Sequence, residues 1–307
     1  MLKYVAKRIG EVIPTTFGIL LLAFLLFNVV GGSPAAVVLG KNATAEMIAA
    51  FDHKWGYDQP LPMQFLRFVR DVFHGDFGYS LENQESVLSV LARGVGPSLS
   101  LTVPILIGGT ILALMLAMLS AEFRGRSVDK AILVVSTILM SVNYVIWVLC
   151  GQFFLSYQLG WFPVWGYDSW FYLVLPVMIG ILSSLGTDVR FFRTAILDEV
   201  YKPYVLTARA KGLSRFAIMT RHVLRNALIP IVTYISLSIP YLFTGSLLLE
   251  SFFGIPGLGS ISINAIHSSD MAIVRTVVVL GALLYQFVNL LTDLLYAALD
   301  PRVRLKG

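Results

Sequence analysis

Leu99-Ser100-Leu101-Thr102-Val103-Pro104-Ile105-Leu106-Ile107-Gly108-Gly109-Thr110-Ile111-Leu112-Ala113-Leu114-Met115-Leu116-Ala117-Met118-Leu119-Ser120 runs for 22 residues without a formal charge. A helix needs roughly 20 apolar residues to cross the hydrocarbon core of a bilayer. Each charge at the centre of such a helix costs about 2.5 to 3.5 kcal/mol on insertion scales. Five further runs have the same character, at residues 13–30, 131–157, 171–187, 227–249 and 276–299, and only the last holds a formal charge, Asp293. The chain is 57% hydrophobic and 13% charged, with a mean hydropathy of +0.77, far from the balance of a soluble domain. These runs predict an all-α polytopic membrane protein with six transmembrane helices.

The cations set the orientation, because Lys and Arg beside short loops resist translocation. Residues 188–226 hold eight of the 23 Lys and Arg residues. Placing the N-terminus inside puts this loop in the cytoplasm together with Lys3, Lys7, Arg8, Arg124, Arg126, Lys130, Arg302, Arg304 and Lys306. Both termini are therefore expected to be cytoplasmic. Lys41, Lys54, Arg67, Arg70 and Arg93 fall outside, in a segment long enough to cross largely regardless of charge. The net charge of +5 is then met by anionic lipid and calls for no nucleic acid. The basic start before residues 13–30 has the form of a secretory signal, but the apolar run is longer than a signal core of about 7 to 15 residues, which predicts an uncleaved first helix.

Within the basic loop, Tyr204-Val205-Leu206-Thr207-Ala208-Arg209-Ala210-Lys211-Gly212-Leu213 reads as a short helix with Pro203 in its first turn and a stop at Gly212. Ser214 is placed to cap a second helix bearing Phe216, Ile218, Met219, Val223 and Leu224. The expected form is helix, Gly hinge, helix. The external segment carries similar signals: Thr44 can cap a helix with Met47, Ile48, Phe51 and Trp55, and Pro62 can open another with Phe65, Leu66, Val69, Val72 and Phe73. Residues 75–80 read as a turn. Such helices either cover the bundle at the membrane surface or form a platform for an external partner.

Polar residues inside apolar spans face a bundle interior or a water-filled path. Ser141, Asn143, Tyr144 and Gln152 lie in the third run, and Ser236, Ser238, Tyr241, Thr244 and Ser246 in the fifth. Ser141, Asn143, Tyr144, Ser236, Ser238, Tyr241 and Thr244 are thus candidates for a translocation path, although helix packing alone explains any one of them. Pro240 is expected to bend the fifth run. The stretch 250–259, with Phe252, Phe253, Pro256 and Gly257, reads as an irregular connection that loops outside and dips inward as a candidate external gate. Asp188 and Asp293 each allow a proton-relay reading or a plainer one, a carboxylate near the interface that pairs with a cytoplasmic Arg or caps a helix.

No phosphate loop is present, since the Gly40-Lys41 pair lacks the earlier Gly and precedes Asn42. There is no Gly-x-Ser-x-Gly elbow and no zinc-ligand spacing; His53, His74, His222 and His267 are scattered. No catalytic residue, cofactor or metal site is expected in this chain. Cys150, the single cysteine, is expected to serve packing.

The motifs resemble a known family. Leu206-Thr207-Ala208 followed by Gly212 is similar to the Glu-Ala-Ala-x-x-x-Gly loop of bacterial ABC importer permeases, and residues 207–213 resemble the dipeptide, oligopeptide and nickel branch. Asp58-Gln59-Pro60-Leu61, Gly75-Asp76-Phe77-Gly78-Tyr79-Ser80, Arg221-His222-Val223-Leu224-Arg225-Asn226-Ala227, Pro256-Gly257-Leu258-Gly259 and Asp300-Pro301-Arg302 resemble its B-type subunit, as do Arg8 and Pro14. Leu206 and Arg225 stand where the general motif has Glu and Pro, so contacts attributed to that Glu do not carry over. Asn143 stands where the family has Pro, which predicts the loss of a kink.

The resemblance implies a type I importer-like permease fold with three parts: residues 1–98 as first span and external segment, 99–299 as a five-helix core with its coupling loop at 188–226, and 300–307 as a cytoplasmic tail. It implies a multi-pass protein of the bacterial inner membrane that pairs with a second, homologous permease. Two ABC ATPases, which bind ATP and Mg, would lie below, and an external substrate-binding protein above. Tyr204, Leu206, Thr207, Ala208, Arg209, Ala210, Lys211, Gly212 and Leu213 would meet the ATPase. The implied cargo is a di- or oligopeptide; nickel or a metal chelate is the alternative within the family, and an ion-coupled carrier or channel the alternative outside it.

Overall fold

The computed structural model describes residues 2–31, 35, 39, 43–80, 82 and 84–299; the Asp300-Pro301-Arg302 motif, and the side chains of Asp293, Tyr241 and Thr244, lie outside the described residues. In chain order the helices are α1 (Leu2–Phe24), α2 (Ala45–Trp55), α3 (Leu61–His74), α4 (Val87–Glu122), α5 (Ser127–Ser141), α6 (Tyr144–Cys150) and α7 (Phe171–Val200). The short α8 (Pro203–Ala210) and α9 (Arg215–Ala217) follow, then α10 (Leu224–Ser236), α11 (Ile239–Thr244), α12 (Leu247–Phe253), α13 (Leu258–His267) and α14 (Met271–Leu299). Wider π-helical turns extend α1 at Leu25–Val30 and α6 at Gly151–Gln158, and join α9 to α10 at Ile218–Val223.

Four of the six apolar runs form helices long and apolar enough to span a bilayer: Gly10–Val30, Val87–Glu122, Phe171–Val200 and Met271–Thr292. Two broken pairs, α5 with α6 and α12 with α13, pass the same test when each is taken as one span, which gives up to six. The run at 131–157 bends by 89° between α5 and α6. Asn143 makes this bend, against the expectation that losing the family proline removes it. Its backbone is extended, at ψ 140°, and its side-chain oxygen accepts the Val145 N–H at 2.9 Å. An N-cap amide ends one helix and starts the next as a proline would.

The run at 227–249 also differs from expectation. It divides into α10, α11 and the start of α12, and Pro240 occupies the first turn of α11, where its missing N–H costs nothing. Phe252 and Phe253, expected in irregular backbone, complete α12; the irregular part is confined to residues 254–257. Gly254 stops α12 with a left-handed φ of +68°, and a Cβ there would meet the Trp165 indole. Cys150 is exposed and does not serve the chain's own packing.

The described residues form two compact units. The first joins the chain up to Gly96 with the chain from Gly257 onward. There α1 lies along α14, and Phe68 of α3 enters a cluster with Leu20, Phe24 and Val279. The Phe24 ring meets the Phe65 ring edge-on at 5.4 Å. A covering role, one of the two readings for the external helices, fits α3 in part: Phe68 is buried and Phe65, Val69 and Val72 are partly buried against α1 and α14, while Leu66 and Phe73 stay exposed; Thr44 caps α2 as expected, accepting the Met47 N–H. Buried Asp270 accepts the Ser80 hydroxyl at 2.6 Å and so ties the turn at 75–80 to the start of α14.

The second unit runs from Pro97 to Pro256. Its core is built around α7: Val189, Phe192 and Ile196 pack with Ala113 and Ala117 of α4 and with Val205, Val223 and Ile231. Gly186 allows α7 to approach α5 closely, since a Cβ there would strike the Ser136 carbonyl oxygen. A second cluster joins Leu101, Val148, Leu175, Ile179, Leu249 and Phe253. Gln152 ties the connection at 159–170 to α12, donating to the Val164 and Phe252 carbonyls at 2.9 and 2.8 Å.

At one end of this unit Arg193 donates to both oxygens of Asp129 at 2.9 Å and to Ser120 at 2.8 Å. Three helices, α4, α5 and α7, meet at this group, and the Asp129 side chain is only 4% exposed. Removing one partner of a buried pair strands the other, at a cost of about 3 to 5 kcal/mol. Arg193→Ala is therefore expected to lower the thermal unfolding midpoint of the detergent-solubilised chain clearly, and Arg190→Ala, at an exposed position, much less.

Candidate functional site

The basic loop has the predicted form. α8 buries Val205 and Ala208 in the α7 core and turns Leu206, Thr207, Arg209 and Ala210 outward. Lys211, Gly212 and Leu213 are also exposed. Glu199, at the end of α7, fixes the first turn: its carboxylate accepts Lys202 Nζ at 2.5 Å and the Tyr204 hydroxyl at 2.7 Å. Burial, aided by the neighbouring Glu199 carboxylate, pushes the Tyr204 hydroxyl up to about 12, so it remains a donor at physiological pH.

Gly212 takes a left-handed φ of +77°, and a Cβ there would meet nothing within 4 Å. The position needs glycine for its backbone and not for space. The Leu213 N–H returns to the Ala208 carbonyl, and Ser214 caps α9 by accepting the Ala217 N–H at 3.3 Å. Arg215 pairs with Glu122 at 3.1 Å, and the Arg124 guanidinium lies 5.0 Å from the centre of the Tyr201 ring. The loop is thus tied to the turn between α4 and α5. What remains exposed is an apolar group, Leu206 (62%), Leu213 (41%) and Phe216 (77%), flanked by Arg209 and Lys211, which make no ion pair among the described residues. This surface is rigid behind, apolar in front and positive at the edge.

A second feature is a cavity of about 410 Å³ within the same unit. Its wall is mostly apolar, with polar positions at Thr102, Tyr144, Asp188, Tyr234, Ser238 and Ser246 among others. Of the seven path candidates, Tyr144 and Ser238 line it. Ser141 is exposed and bonds back to the Thr137 carbonyl, buried Ser236 does the same to Val232, and Asn143 serves as a cap. Tyr241 and Thr244 have no described side chains.

Among the gate candidates, Phe253 is buried in the core and Phe252 packs against it; Pro256 is exposed and Gly257 buried. Asp188 departs from the plainer sequence reading: among the described residues it pairs with no Arg and instead accepts the Tyr234 hydroxyl at 2.9 Å. Glu199 and Glu250 escaped the sequence reading. Glu199 carried a local signal, a carboxylate three residues before Lys202 at a helix end. Glu250, fully buried and accepting from Ser98 and the Ser246 N–H, carried none, because its partners lie far away in the chain or in a turn hidden inside an uncharged apolar run.

Residues 109–305 match the model of the binding-protein-dependent transport system inner membrane component, and residues 1–102 match that of its N-terminal portion. The chain belongs to this family. It resembles the glutathione transport system permease protein GsiC of Salmonella paratyphi A at 34% identity and that of Escherichia coli K12 at 33%, in each case over the full length of both chains. It also resembles a probable peptide ABC transporter permease, y4tP, of Sinorhizobium fredii at 35% identity over 98% of this chain and 99% of that one. The fold is that of an ABC type I permease, and the chain is a non-catalytic, multi-pass subunit of an inner-membrane ABC importer.

In such a permease the fixed first turn of α8 matters. Losing a hydrogen bond to a charged group costs about 1.5 to 3 kcal/mol, so local opening becomes at least roughly tenfold more frequent. Glu199→Ala is expected to speed tryptic cleavage after Arg209 and Lys211 without altering membrane insertion.

Proposed function

We propose that the chain forms half of the translocation path of an ATP-driven, binding-protein-dependent importer of short peptides. In this reading residues 204–212 couple the path to ATPases on other chains. The observation that carries it is the exposed face of α8 and its flanks: a rigidly anchored, positively edged apolar surface on a chain that has no phosphate loop of its own. Such a surface suits a groove on an ATPase with acidic groups at its rim. The functions of the relatives, glutathione and probable peptide transport, support a peptide as cargo.

The partners are a second, homologous permease, two ATPases that bind ATP and Mg at the cytoplasmic face, and an external binding protein. The termini and the loop at 188–226 lie in the cytoplasm, as the distribution of cations favours. Residues 99–299 act as the five-helix core, with residues 1–98 as first span and external cover and 300–307 as a tail. ATP-driven closure of the ATPases displaces α8 as a lever, and the Glu199 contacts pass that shift to α7. Tyr144, Ser238 and the other polar positions of the cavity offer hydroxyls to the cargo, and the segment from Phe252 to Gly257 closes the outer end.

Gly212→Leu forces a side chain into a left-handed backbone at a cost of about 1 to 2 kcal/mol, with open space around its Cβ. It should leave insertion and assembly intact and lower transport-linked ATP hydrolysis in proteoliposomes about tenfold or more, whereas Gly212→Asn, which tolerates that backbone, should be milder. Unchanged hydrolysis in Gly212→Leu would remove α8 from the coupling role.

A further inference from the structure

Among the described residues that line the cavity, Asp188 is the only one with a formal charge, and no Lys, Arg or His joins it there. The neighbouring cations on α7 are engaged elsewhere: Arg190 donates to Thr137, and Arg193 to Asp129 and Ser120. What Asp188 does have is neutral. Tyr234 donates its hydroxyl to the carboxylate at 2.9 Å, while the nearby Ser184 hydroxyl donates to the Ile181 carbonyl of its own helix. The Tyr234 ring is itself fixed, stacked on Phe191 at 4.4 Å and edge-on to Phe192 at 6.0 Å. The carboxylate is therefore held in a set position by the side chains around it.

A carboxylate in a mostly apolar wall carries a desolvation cost that the single Tyr234 donor offsets only in part, and a cation completes the compensation. The cavity of about 410 Å³ falls in the size range of sites for small organic molecules and is far larger than a single inorganic ion requires. Its other polar positions are hydroxyls: those of Thr102 and Ser183 donate to the chain's own carbonyls and keep lone pairs for amide N–H groups, Tyr144 and Ser246 share one bond between them, and Ser238 can bond to an amide in either sense. A primary ammonium on a short chain of amides matches this arrangement: the charge at Asp188 and the amides along the hydroxyls.

We infer that Asp188 is the counter-ion for the amino-terminal ammonium of a peptide in transit, and that the cavity is a station on the path. The inference rests on the peptide-importer reading and adds a ligand group and a residue to it. Tyr234 acts as a positioning residue, holding the carboxylate toward the cavity.

Two measurements test this on the assembled transporter with its cognate second permease, ATPases and binding protein. The first is ATP-driven uptake of labelled trialanine, N-acetyl-trialanine and reduced glutathione into proteoliposomes, with each rate normalised to the measured occupancy of the binding protein. Asp188→Asn keeps an acceptor for Tyr234 and should preserve the fold. It is expected to lower trialanine and glutathione uptake about tenfold, the loss associated with a hydrogen bond to a charged group. Asp188→Glu should recover most of it.

The second measurement, which needs no transport, is modification of Asp188 by dicyclohexylcarbodiimide in the wild-type complex, read by mass spectrometry. Millimolar trialanine should protect Asp188, and N-acetyl-trialanine and sodium chloride should not. Unchanged trialanine uptake in Asp188→Asn, failure of trialanine to protect, or equal protection by the acetylated peptide or by sodium overturns the assignment while leaving a peptide importer in place. If the wild type imports none of the three probes, the peptide reading itself falls, and the assignment with it.

Discussion

The second unit depends on the group formed by Arg193, Asp129 and Ser120. It is buried, it joins α4, α5 and α7 at one end, and α7 leads directly from it through Glu199 into α8. A buried ion pair contributes little net stability compared with apolar packing, but it penalises any arrangement that separates its members. Its effect here is to fix the register of three helices at the base of the loop. The small side chains Ala113, Ala117 and Ala121 of α4 and the Gly186 approach of α7 to α5 then bring these helices close enough for the group to form.

On that base the loop can be stiff yet exposed. The Val205 and Ala208 side chains are held in the same core as Phe192, while Leu206, Leu213 and Phe216 face outward. Three backbone breaks in this unit are settled locally: Asn143 caps α6, Glu250 accepts the Ser246 N–H at the start of α12, and Gly254 supplies the left-handed stop. In a bilayer such breaks are tolerated only where protein or water covers them. Their concentration around the cavity wall, at Tyr144, Gly245 and Ser246, is consistent with a chain shaped to bend there.

Much of this could be read from the sequence where the signal is local and periodic. Four of the apolar runs became helices of spanning length, and Pro203, Gly212 and Ser214 delimit α8 and α9 as their backbone preferences dictate. Reading failed where one uncharged run hid a break. Residues 227–249 look continuous because hydropathy registers side chains and not the backbone turn at Gly245, and Asn143 looked like a lost kink because a cap can replace a proline. The site was legible in its loop and poorly so in its cavity. Glu250 to Ser98 and Asp188 to Tyr234 are contacts between distant residues, and only the packing of α4, α7, α10 and α12 brings them together. Ser141 and Ser236 show the reverse error: hydroxyls that looked available bond to their own helices.

The central claim is that the outer face of α8 meets an ATPase on another chain. Cysteine cross-linking tests it most directly. In a background with Cys150→Ser, Leu206→Cys on the exposed side of α8 and Val205→Cys on its buried side place a thiol one residue apart on opposite sides of the helix. A short thiol-to-amine cross-linker applied to the assembled transporter is predicted to join Leu206→Cys to an ATPase subunit with high yield and to leave Val205→Cys unlinked. Absence of any ATPase adduct from Leu206→Cys, in a complex shown to contain the ATPases, would contradict the account.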